Sequence, residues 1–199
     1  PAQLSELNAP LNRQGGNHTS RYNWQANAYN RAHDWYFESV GEASGVPGES
    51  ADTFIDQARA AGAQPLVTVP MLEWVARLGN QRAKLASFSI AKYGPQTGND
   101  WQWFPDAGNG VRTNGQFVTG NDPNDANVPS TSLFQQGWVQ HLVGRWGTNA
   151  NGGLRYYILD NEPSIWHSTH RDVRPTSPTM GEIRDKTIDF AQRIKAVDS

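Results

Sequence analysis

The segment "LRYYILDNEPSIWHSTH", residues 154–170, changes within a few positions from an apolar run to a carboxylate, a proline and several aromatic residues. Its first part, "LRYYILD" (154–160), is rich in aromatic and aliphatic residues, which is typical of a buried β-strand. Pro163 has no amide hydrogen for a strand ladder and biases the residue before it away from helix. We therefore expect the strand to end near Glu162 and to hold that side chain at its mouth.

Two more runs resemble strands, and three segments have apolar residues at helical spacing. The strand candidates are "QPLVTVPM" (64–71) and the weaker "APLNRQGG" (9–16). The helix candidates are "SADTFIDQARAAGA" (50–63), "SLFQQGWVQHLVGRWG" (132–147) and "SPTMGEIRDKTIDFAQRIKAVDS" (177–199). Ser50 is expected to cap the first helix. Ser132 followed by Gln135 matches a capping box for the second, and Thr179 begins the same pattern in the third.

The alternation of strand and helix predicts an α/β fold with a parallel sheet. No repeat or linker divides the sequence, so residues 1–199 are expected to form one domain. An eight-stranded (β/α)8 barrel needs about 250 residues. Three strand–helix units therefore make either a small open sheet or part of a larger barrel.

Three long irregular segments, 15–49, 94–130 and 161–178, each follow a strand and precede a helix. They should emerge at the carboxyl ends of the strands, where α/β proteins place their sites. Trp101 and Trp103 lie in the second segment, and Trp74 follows the 64–71 strand. Sugar contact and packing both remain open for these three residues.

The composition excludes several functions. The formal net charge is −2 and 18% of residues are charged, so the footprint of a nucleic-acid or membrane-surface binder is missing. The absence of cysteine excludes disulfides and cysteine-based zinc sites. Eight tryptophans in a polar chain favour carbohydrate binding, because the flat indole face suits the C–H face of a sugar ring.

The residues around Glu162 allow two interpretations. The stretch 160–163 is either a polar turn or a holder for a general acid, which must reach the leaving oxygen of a substrate. In the second interpretation Asn161 offers its amide to a substrate hydroxyl, and Trp166 supplies a stacking face.

Three stretches together resemble glycoside hydrolase family 44, the retaining endo-β-1,4-glucanases that often also cut xyloglucan. They are "GGNHTSRYNWQANAYNRAHDWYFES" (15–39), "PLVTVPM" (65–71) and "YYILDNEPSIWHSTHRDVRP" (156–175). The resemblance implies a (β/α)8 TIM barrel, of which residues 1–199 cover about strands 2–4 with their helices and are incomplete at both ends. It also implies a secreted, extracellular and monomeric enzyme whose partner is a polysaccharide such as cellulose, carboxymethylcellulose or xyloglucan.

The resemblance assigns the general acid/base role to Glu162. The residues expected to bind substrate are Asn17, Trp24, Trp35, Trp74, Asn161, Trp166 and His170. A retaining enzyme needs a second carboxyl about 5–5.5 Å away. The resemblance places this nucleophile on a later strand, outside residues 1–199. Within the chain, Glu38 and Glu73 are only weak candidates for the role. The isolated 199 residues are therefore expected to be inactive.

No cofactor is expected to be required, although a structural calcium ion is a possible addition. Asp122, Asn124 and Asp125 offer the hard oxygen ligands that calcium prefers, and relatives carry such a site in the equivalent loop. The alternative for this loop is an Asx-rich turn that satisfies its own backbone.

Two alternative functions remain open. A non-catalytic carbohydrate-binding protein would use the aromatic residues without chemistry. A xylanase or mannanase would keep the fold and change the sugar.

Overall fold

The computed structural model describes residues 2–199. The helices are α1 (Ala2–Glu6), α2 (Glu49–Ala60), α3 (Ile90–Tyr93), α4 (Ser132–Trp146), α5 (Trp166–Thr169) and α6 (Met180–Lys195). The strands are β1 (Leu11–Arg13), β2 (Ala28–Asn30), β3 (Glu38–Gly41), β4 (Gln64–Val69), β5 (Trp74–Ala76), β6 (Leu85–Ala86), β7 (Asn99–Asp100), β8 (Phe104–Gly108), β9 (Asn127–Pro129) and β10 (Tyr156–Leu159).

A parallel sheet in the order β1-β4-β10 forms the centre of the fold. Leu11 of β1 pairs with Gln64 of β4, and Tyr156 of β10 pairs with Leu66 on the other side. The three predicted strands are therefore confirmed, and so is the α/β fold class. The assignment to a TIM barrel stays a prediction, since the described strands form an open sheet.

The hydrophobic core lies between this sheet and the three long helices. Val67 and Val69 of β4 are buried against apolar side chains of α2, α4 and α6. Those side chains include Ile55, Leu142 and Phe190, which are all at most 3% exposed. Burying side chains of this size contributes about 1.5–3 kcal/mol each. The helices thus pack against the side chains of the sheet, and the carboxyl ends of its strands lie outside this core.

The helix starts agree only partly with the sequence patterns. Thr179 caps α6 as predicted, since its side chain accepts a hydrogen bond from the Glu182 N–H. In α4 the cap is Thr131, one residue before Ser132. The predicted Ser50 cap of α2 is wrong, because that helix starts after Gly48. Gly48 has a φ of 74°, a left-handed conformation that glycine adopts without steric cost.

The long connections fold into small antiparallel sheets. Strands β2, β3 and β6 form one sheet, while β5 pairs with β9 and β7 with β8. These pairings order the segments that the sequence marks as irregular, and they surround the carboxyl ends of the parallel strands. Among residues 2–199 no helix has the length and apolar character needed to cross a bilayer.

Candidate active site

The carboxyl ends of the three parallel strands converge on Asp160 and Asn161. At the end of β1, the Arg13 guanidinium donates a hydrogen bond to Asn161 Oδ1, and the Gly16 N–H, three residues further on, donates to the same oxygen over 3.2 Å. Beyond β4, the Met71 N–H donates to the Asp160 carboxylate. The prediction that the segments after the strands meet on one side of the sheet is confirmed.

Asp160 joins these segments from inside the protein. Its side chain is buried and also accepts hydrogen bonds from the Ser20 hydroxyl and, over 2.6 Å, from the Asn161 N–H. Burial raises the pKa of Asp160 to about 6, although these hydrogen bonds act to lower it. The carboxyl group therefore fixes the position of its neighbours and is sealed from any substrate.

Glu162 emerges from this framework into solvent. Its one side-chain hydrogen bond within residues 2–199 comes from Asn161 Nδ2, over 3.2 Å to Oε2, and no basic side chain in that range pairs with it. Glu162 and Asp160 have φ values of 45° and 66°. Left-handed conformations of this kind cost about 1–3 kcal/mol each in non-glycine residues and concentrate at functional sites. The left-handed backbone at Asp160 and Glu162 turns the chain away from the strand direction, and the Glu162 side chain is exposed at the surface.

An exposed carboxyl group with a fixed amide neighbour can give or take a proton from a bound molecule. Among residues 2–199 no second carboxylate is hydrogen-bonded to Glu162. Glu73 instead pairs with Lys186 over 2.5 Å, and Glu38 is fully buried in β3. Neither side chain is available as the partner of Glu162 in this conformation.

Two residues predicted to bind substrate are buried beneath the site. Trp166 is 1% exposed and donates its indole N–H to the Asn161 carbonyl over 3.1 Å, so it supports the turn and offers no stacking face. His170 has no exposed surface, and burial followed by the nearby Arg21 charge lowers its pKa to about 3. The predicted sugar contacts of both residues are therefore corrected to supporting roles.

Trp24 and Trp74 are partly buried and pack against the core. The Trp24 ring stacks on Trp138 of α4, with 6.1 Å between centroids, and its N–H donates to the Phe134 carbonyl over 3.4 Å. Trp74 lies on β5 opposite Pro129 of β9. Packing explains both positions, and their sugar contacts stay predictions.

Asn17 and Trp35 both belong to the segment between β1 and β3. Asn17 follows Gly16 and donates a hydrogen bond to Asp34 over 2.8 Å. Trp35 is 37% exposed. An open cavity of about 360 Å³ lies beside it, lined by His18, Tyr29, Arg31, Asp34, Trp35 and Glu42. Trp35 is accessible to a ligand, whereas the side-chain oxygen of Asn17 is buried, and the substrate contacts of both residues stay predictions.

Sequence reasoning missed a buried ion pair beneath the site. Arg21 binds both oxygens of Asp172 over 3.0 Å, and the Ser87 hydroxyl donates to the same carboxylate over 2.6 Å. Arg21 and Asp172 are both fully buried. The pair ties the segment after β1 to the segment after β10, and so supports the turn that carries Glu162.

The predicted calcium ligands do not fit a calcium site in this structure. Asp122 accepts two hydrogen bonds from Asn124, and Asp125 binds Lys92 and Tyr93. The contacts are those of an Asx turn, and among residues 2–199 no group of three or more histidine, cysteine or acidic residues is arranged for a metal. Calcium binding itself stays a prediction.

A different carboxylate pair has the chemistry of a cation site. Glu38 and Asp100 are buried side by side, and three of their four carboxylate oxygens have no hydrogen-bond donor among residues 2–199. The Arg31 guanidinium forms a longer ion pair with Glu38, over 3.7 Å to Oε2. Burial, followed by the contact with Asp100, raises the pKa of Glu38 to about 7. Such a pair is stabilised by a shared proton or by a bound cation.

Comparison with known proteins adds independent information. The family model described as glycoside hydrolase family 44 matches residues 28–199. The crystal structure of CelM2, a bifunctional glucanase-xylanase from a metagenome library, is 70% identical and superposes with a TM-score of 0.97, covering 99% of this chain and 38% of that one.

Two more distant relatives agree. Endoglucanase A of Paenibacillus lautus is 29% identical over 94% of this chain and 26% of its own length. A family 44 xyloglucanase structure from Paenibacillus polymyxa is 27% identical over 94% of this chain and 36% of that one, with a TM-score of 0.66. The chain thus spans between 26% and 38% of the length of these three relatives.

Proposed function

The chain belongs to glycoside hydrolase family 44, and from this we propose that the intact protein is an endo-acting hydrolase of β-1,4-linked glucans with Glu162 as its general acid/base. The observation that carries the proposal is the position of Glu162. It is an exposed carboxyl group, free of basic partners, at the carboxyl end of β10 and in contact with an anchored amide. The convergence of three parallel strand ends supports a (β/α)8 barrel, with residues 1–199 supplying three of its strands.

The proposed chemistry is a double displacement with retention of configuration. Glu162 protonates the glycosidic oxygen as the bond to the anomeric carbon breaks, while a carboxylate that is not among residues 2–199 attacks that carbon. In the second step Glu162 takes a proton from water as the water oxygen attacks the anomeric carbon. The bond between that carbon and the enzyme carboxylate breaks, which frees the sugar and restores the carboxylate. Asn161, which is 3% exposed and hydrogen-bonded through both atoms of its amide, positions the Glu162 carboxyl group, and its predicted contact with a substrate hydroxyl is corrected to this supporting role.

A xylan substrate is the second candidate. CelM2, which is 70% identical to this chain, is described as a bifunctional glucanase-xylanase. Glucan and xylan chains share the equatorial β-1,4 linkage, so a cleft that accepts the first presents the same linkage of the second to Glu162. Secretion is part of the same proposal, because a polymeric substrate is encountered outside the cell. The proposal also takes the enzyme to be a monomer.

We also propose that a structural calcium ion, where one binds, lies between Glu38 and Asp100. Three of their buried oxygens lack a hydrogen-bond donor among residues 2–199, which supports this position, although Arg31 lies 3.7 Å from Glu38 Oε2 and competes with a cation there. Asp122 already accepts two hydrogen bonds from Asn124. Calcium should then raise the melting temperature of the intact protein but not that of the Glu38→Gln variant. An Asp122→Asn variant should keep the calcium effect, and the reverse pattern would place the ion in the 120–129 loop.

A substrate panel tests the proposed function. Carboxymethylcellulose, xyloglucan, xylan and mannan are incubated with the intact protein, and the products and their anomeric configuration are followed by NMR. Release of β-configured oligosaccharides from glucans supports the proposal. Binding to these polymers without any cleavage would instead identify a carbohydrate-binding protein, and cleavage of mannan alone would reassign the substrate.

A further inference from the structure

Three tryptophans are strongly exposed near β7 and β8. Trp35, Trp101 and Trp103 have 37%, 76% and 57% of their surface accessible to solvent. Tryptophan is costly to leave in water, and an exposed cluster of such rings marks a binding surface. Trp35 and Trp103 are in contact, with 5.8 Å between ring centroids and 46° between ring planes. Trp101 has no ring contact within residues 2–199 and serves below as an internal reference.

The buried Asp100 contacts both Trp35 and Trp103 and fixes their positions. It accepts a hydrogen bond from the backbone N–H of Trp103 over 3.3 Å and interacts with the Trp35 side chain. Tyr36 and Phe37, directly after Trp35, have φ values of 49° and 51°. Consecutive left-handed residues are strained and persist only where the surrounding structure enforces them. The backbone thus holds the Trp35 ring at the surface at an energetic cost.

Between the two rings lies an open groove of about 420 Å³, lined by Arg31, Trp35, Lys84 and Trp103. This volume lies within the range of about 300–1,000 Å³ that is usual for ligand sites. The rings offer apolar faces, and Arg31 and Lys84 offer N–H donors that suit hydroxyl oxygens. Flat apolar faces combined with donors are the requirements for holding a sugar ring in the chair form, whose C–H face is apolar and whose rim is polar.

The groove adjoins the cavity of about 360 Å³, because Arg31 and Trp35 line both. Trp35 also lines the neighbouring cavity together with Asp34, and Asp34 binds Asn17. Asn17 follows Gly16, whose N–H donates to Asn161 beside Glu162. The Ala32–Asp34 turn, directly before Trp35, also packs against α5 (Trp166–Thr169), which follows Glu162 closely in the chain. These contacts place the groove and Glu162 in neighbouring parts of the fold.

Resting on the proposed function, we propose that Trp35 and Trp103 form a remote subsite that holds one pyranose ring of a β-1,4-linked chain whose scissile bond lies at Glu162. Trp103 is the specific addition, because it supplies the second aromatic wall of the groove. The subsite contributes to the binding of long chains and leaves short ones unaffected. It thereby favours internal cleavage of polymers over cleavage of short oligosaccharides.

The test measures binding in the intact protein carrying Glu162→Gln, so that the ligand is not consumed. Cello-oligosaccharides of increasing length are titrated by calorimetry. We expect Kd to fall sharply at the length that reaches the groove. Adding Trp103→Ala should raise Kd for these longer ligands by about tenfold, in line with the loss of one aromatic anchor, and should leave Kd for the shorter ones unchanged. Trp103→Phe should restore part of the difference.

Trp101→Ala is the matched control, since it removes an exposed tryptophan two residues away that does not line the groove. It should leave every Kd unchanged. The subsite is refuted if Trp103→Ala keeps the length-dependent gain, if Trp101→Ala abolishes it equally, or if the parent shows no such gain. Residual hydrolysis by the Glu162→Gln parent would count against the proposed role of Glu162 and not against the subsite, so the two failures are distinguishable.

Discussion

The side-chain amide of Asn161 donates a hydrogen bond to the Glu162 carboxylate over 3.2 Å, while its oxygen accepts from Arg13 and from the Gly16 N–H. Asn161 is 3% exposed, whereas Glu162 is exposed. A buried and fully anchored residue thus holds an exposed one, so the position of the carboxyl group depends on β1 as well as on β10.

Replacing Asn161 should therefore impair turnover more than substrate binding. Asn161→Ala removes the hydrogen bond to Glu162 and leaves the Arg13 guanidinium without its acceptor. Misplacement of a reacting group by about 1 Å can cost about 10²-fold in rate, and we expect a loss of that order in kcat on a soluble glucan. Asn151→Ala, in the exposed turn after α4, should leave kcat unchanged. Equal kcat values for the two variants would show that Asn161 does not position Glu162.

The buried pair of Arg21 and Asp172 should be a major determinant of stability. Arg21→Met or Asp172→Asn leaves one buried charge without its partner, which typically costs about 3–5 kcal/mol. The control is Arg184→Met, since Arg184 pairs with Asp185 at the surface, where both side chains are more than 60% exposed. Such exposed pairs contribute at most about 1 kcal/mol. Urea denaturation of the three variants measures the difference, and similar midpoints for all three would contradict it.

Trp166 and Trp101 separate packing from ligand contact. Trp166→Ala removes a buried ring and its hydrogen bond to the Asn161 carbonyl, for which we expect a loss of about 3–5 kcal/mol in the free energy of unfolding. Trp101→Ala removes an exposed ring and should change stability by about 0.5 kcal/mol or less. A Trp166→Ala protein of normal stability with weakened glucan binding would restore the original interpretation of Trp166 as a stacking face.

The burial of His170 predicts an acid-dependent loss of stability. The pKa of His170 is about 3 in the folded protein, against about 6.5 in an unfolded chain. Between these values the unfolded state binds more protons at His170, so the contribution of this residue to the free energy of unfolding decreases as the pH falls from about 6.5 towards 3, by up to about 1.4 kcal/mol per pH unit. The raised pKa values of Asp160 and Glu38 act in the opposite sense. Near and above pH 7 the effect vanishes.

Unfolding measured between pH 4 and 7 checks this dependence. The free energy of unfolding of His170→Gln, relative to that of the parent, should rise as the pH falls from 7 to 4, even where the substitution lowers stability at neutral pH, because Glu38 and Asp160 titrate in both proteins and only the parent has the buried imidazole. His33→Gln, which replaces an exposed histidine, should keep the profile of the parent. An unchanged slope in His170→Gln would show that the ring is not held neutral by burial.

The sequence was sufficient to predict the parts of the fold that depend on local patterns. The three strands, the three long helices and the Thr179 cap follow from apolar spacing and capping residues. The position of Glu162 at a strand mouth follows from an apolar run that meets a proline. The predicted Ser50 cap is wrong. The helix begins after Gly48, whose left-handed backbone forms the N-cap without a side-chain hydrogen bond, so a search for capping side chains does not find it.

Side-chain orientation in the loops was beyond local patterns. Trp35 and Trp166 both lie in polar, aromatic segments, yet one is 37% exposed and the other 1%. The difference arises from backbone turns set by distant contacts. Arg21 and Asp172 are 151 residues apart, and a single sequence contains no signal that pairs them. The same holds for Glu38 and Asp100, whose oxygens meet only after β3 and β7 are placed.

The most direct test of Glu162 as the general acid compares two substrates of the intact Glu162→Gln variant. One is a cello-oligosaccharide, whose leaving oxygen needs a proton. The other is an aryl cellobioside with an acidic phenol, which departs without one. Protonation by a positioned acid contributes about 10²–10⁴-fold, so we expect the first substrate to lose at least that factor in turnover. The second should still release its phenol rapidly, with a burst as the glycosyl intermediate accumulates. Equal losses on both substrates, or near-normal turnover of the first, would contradict a proton-donating role for Glu162.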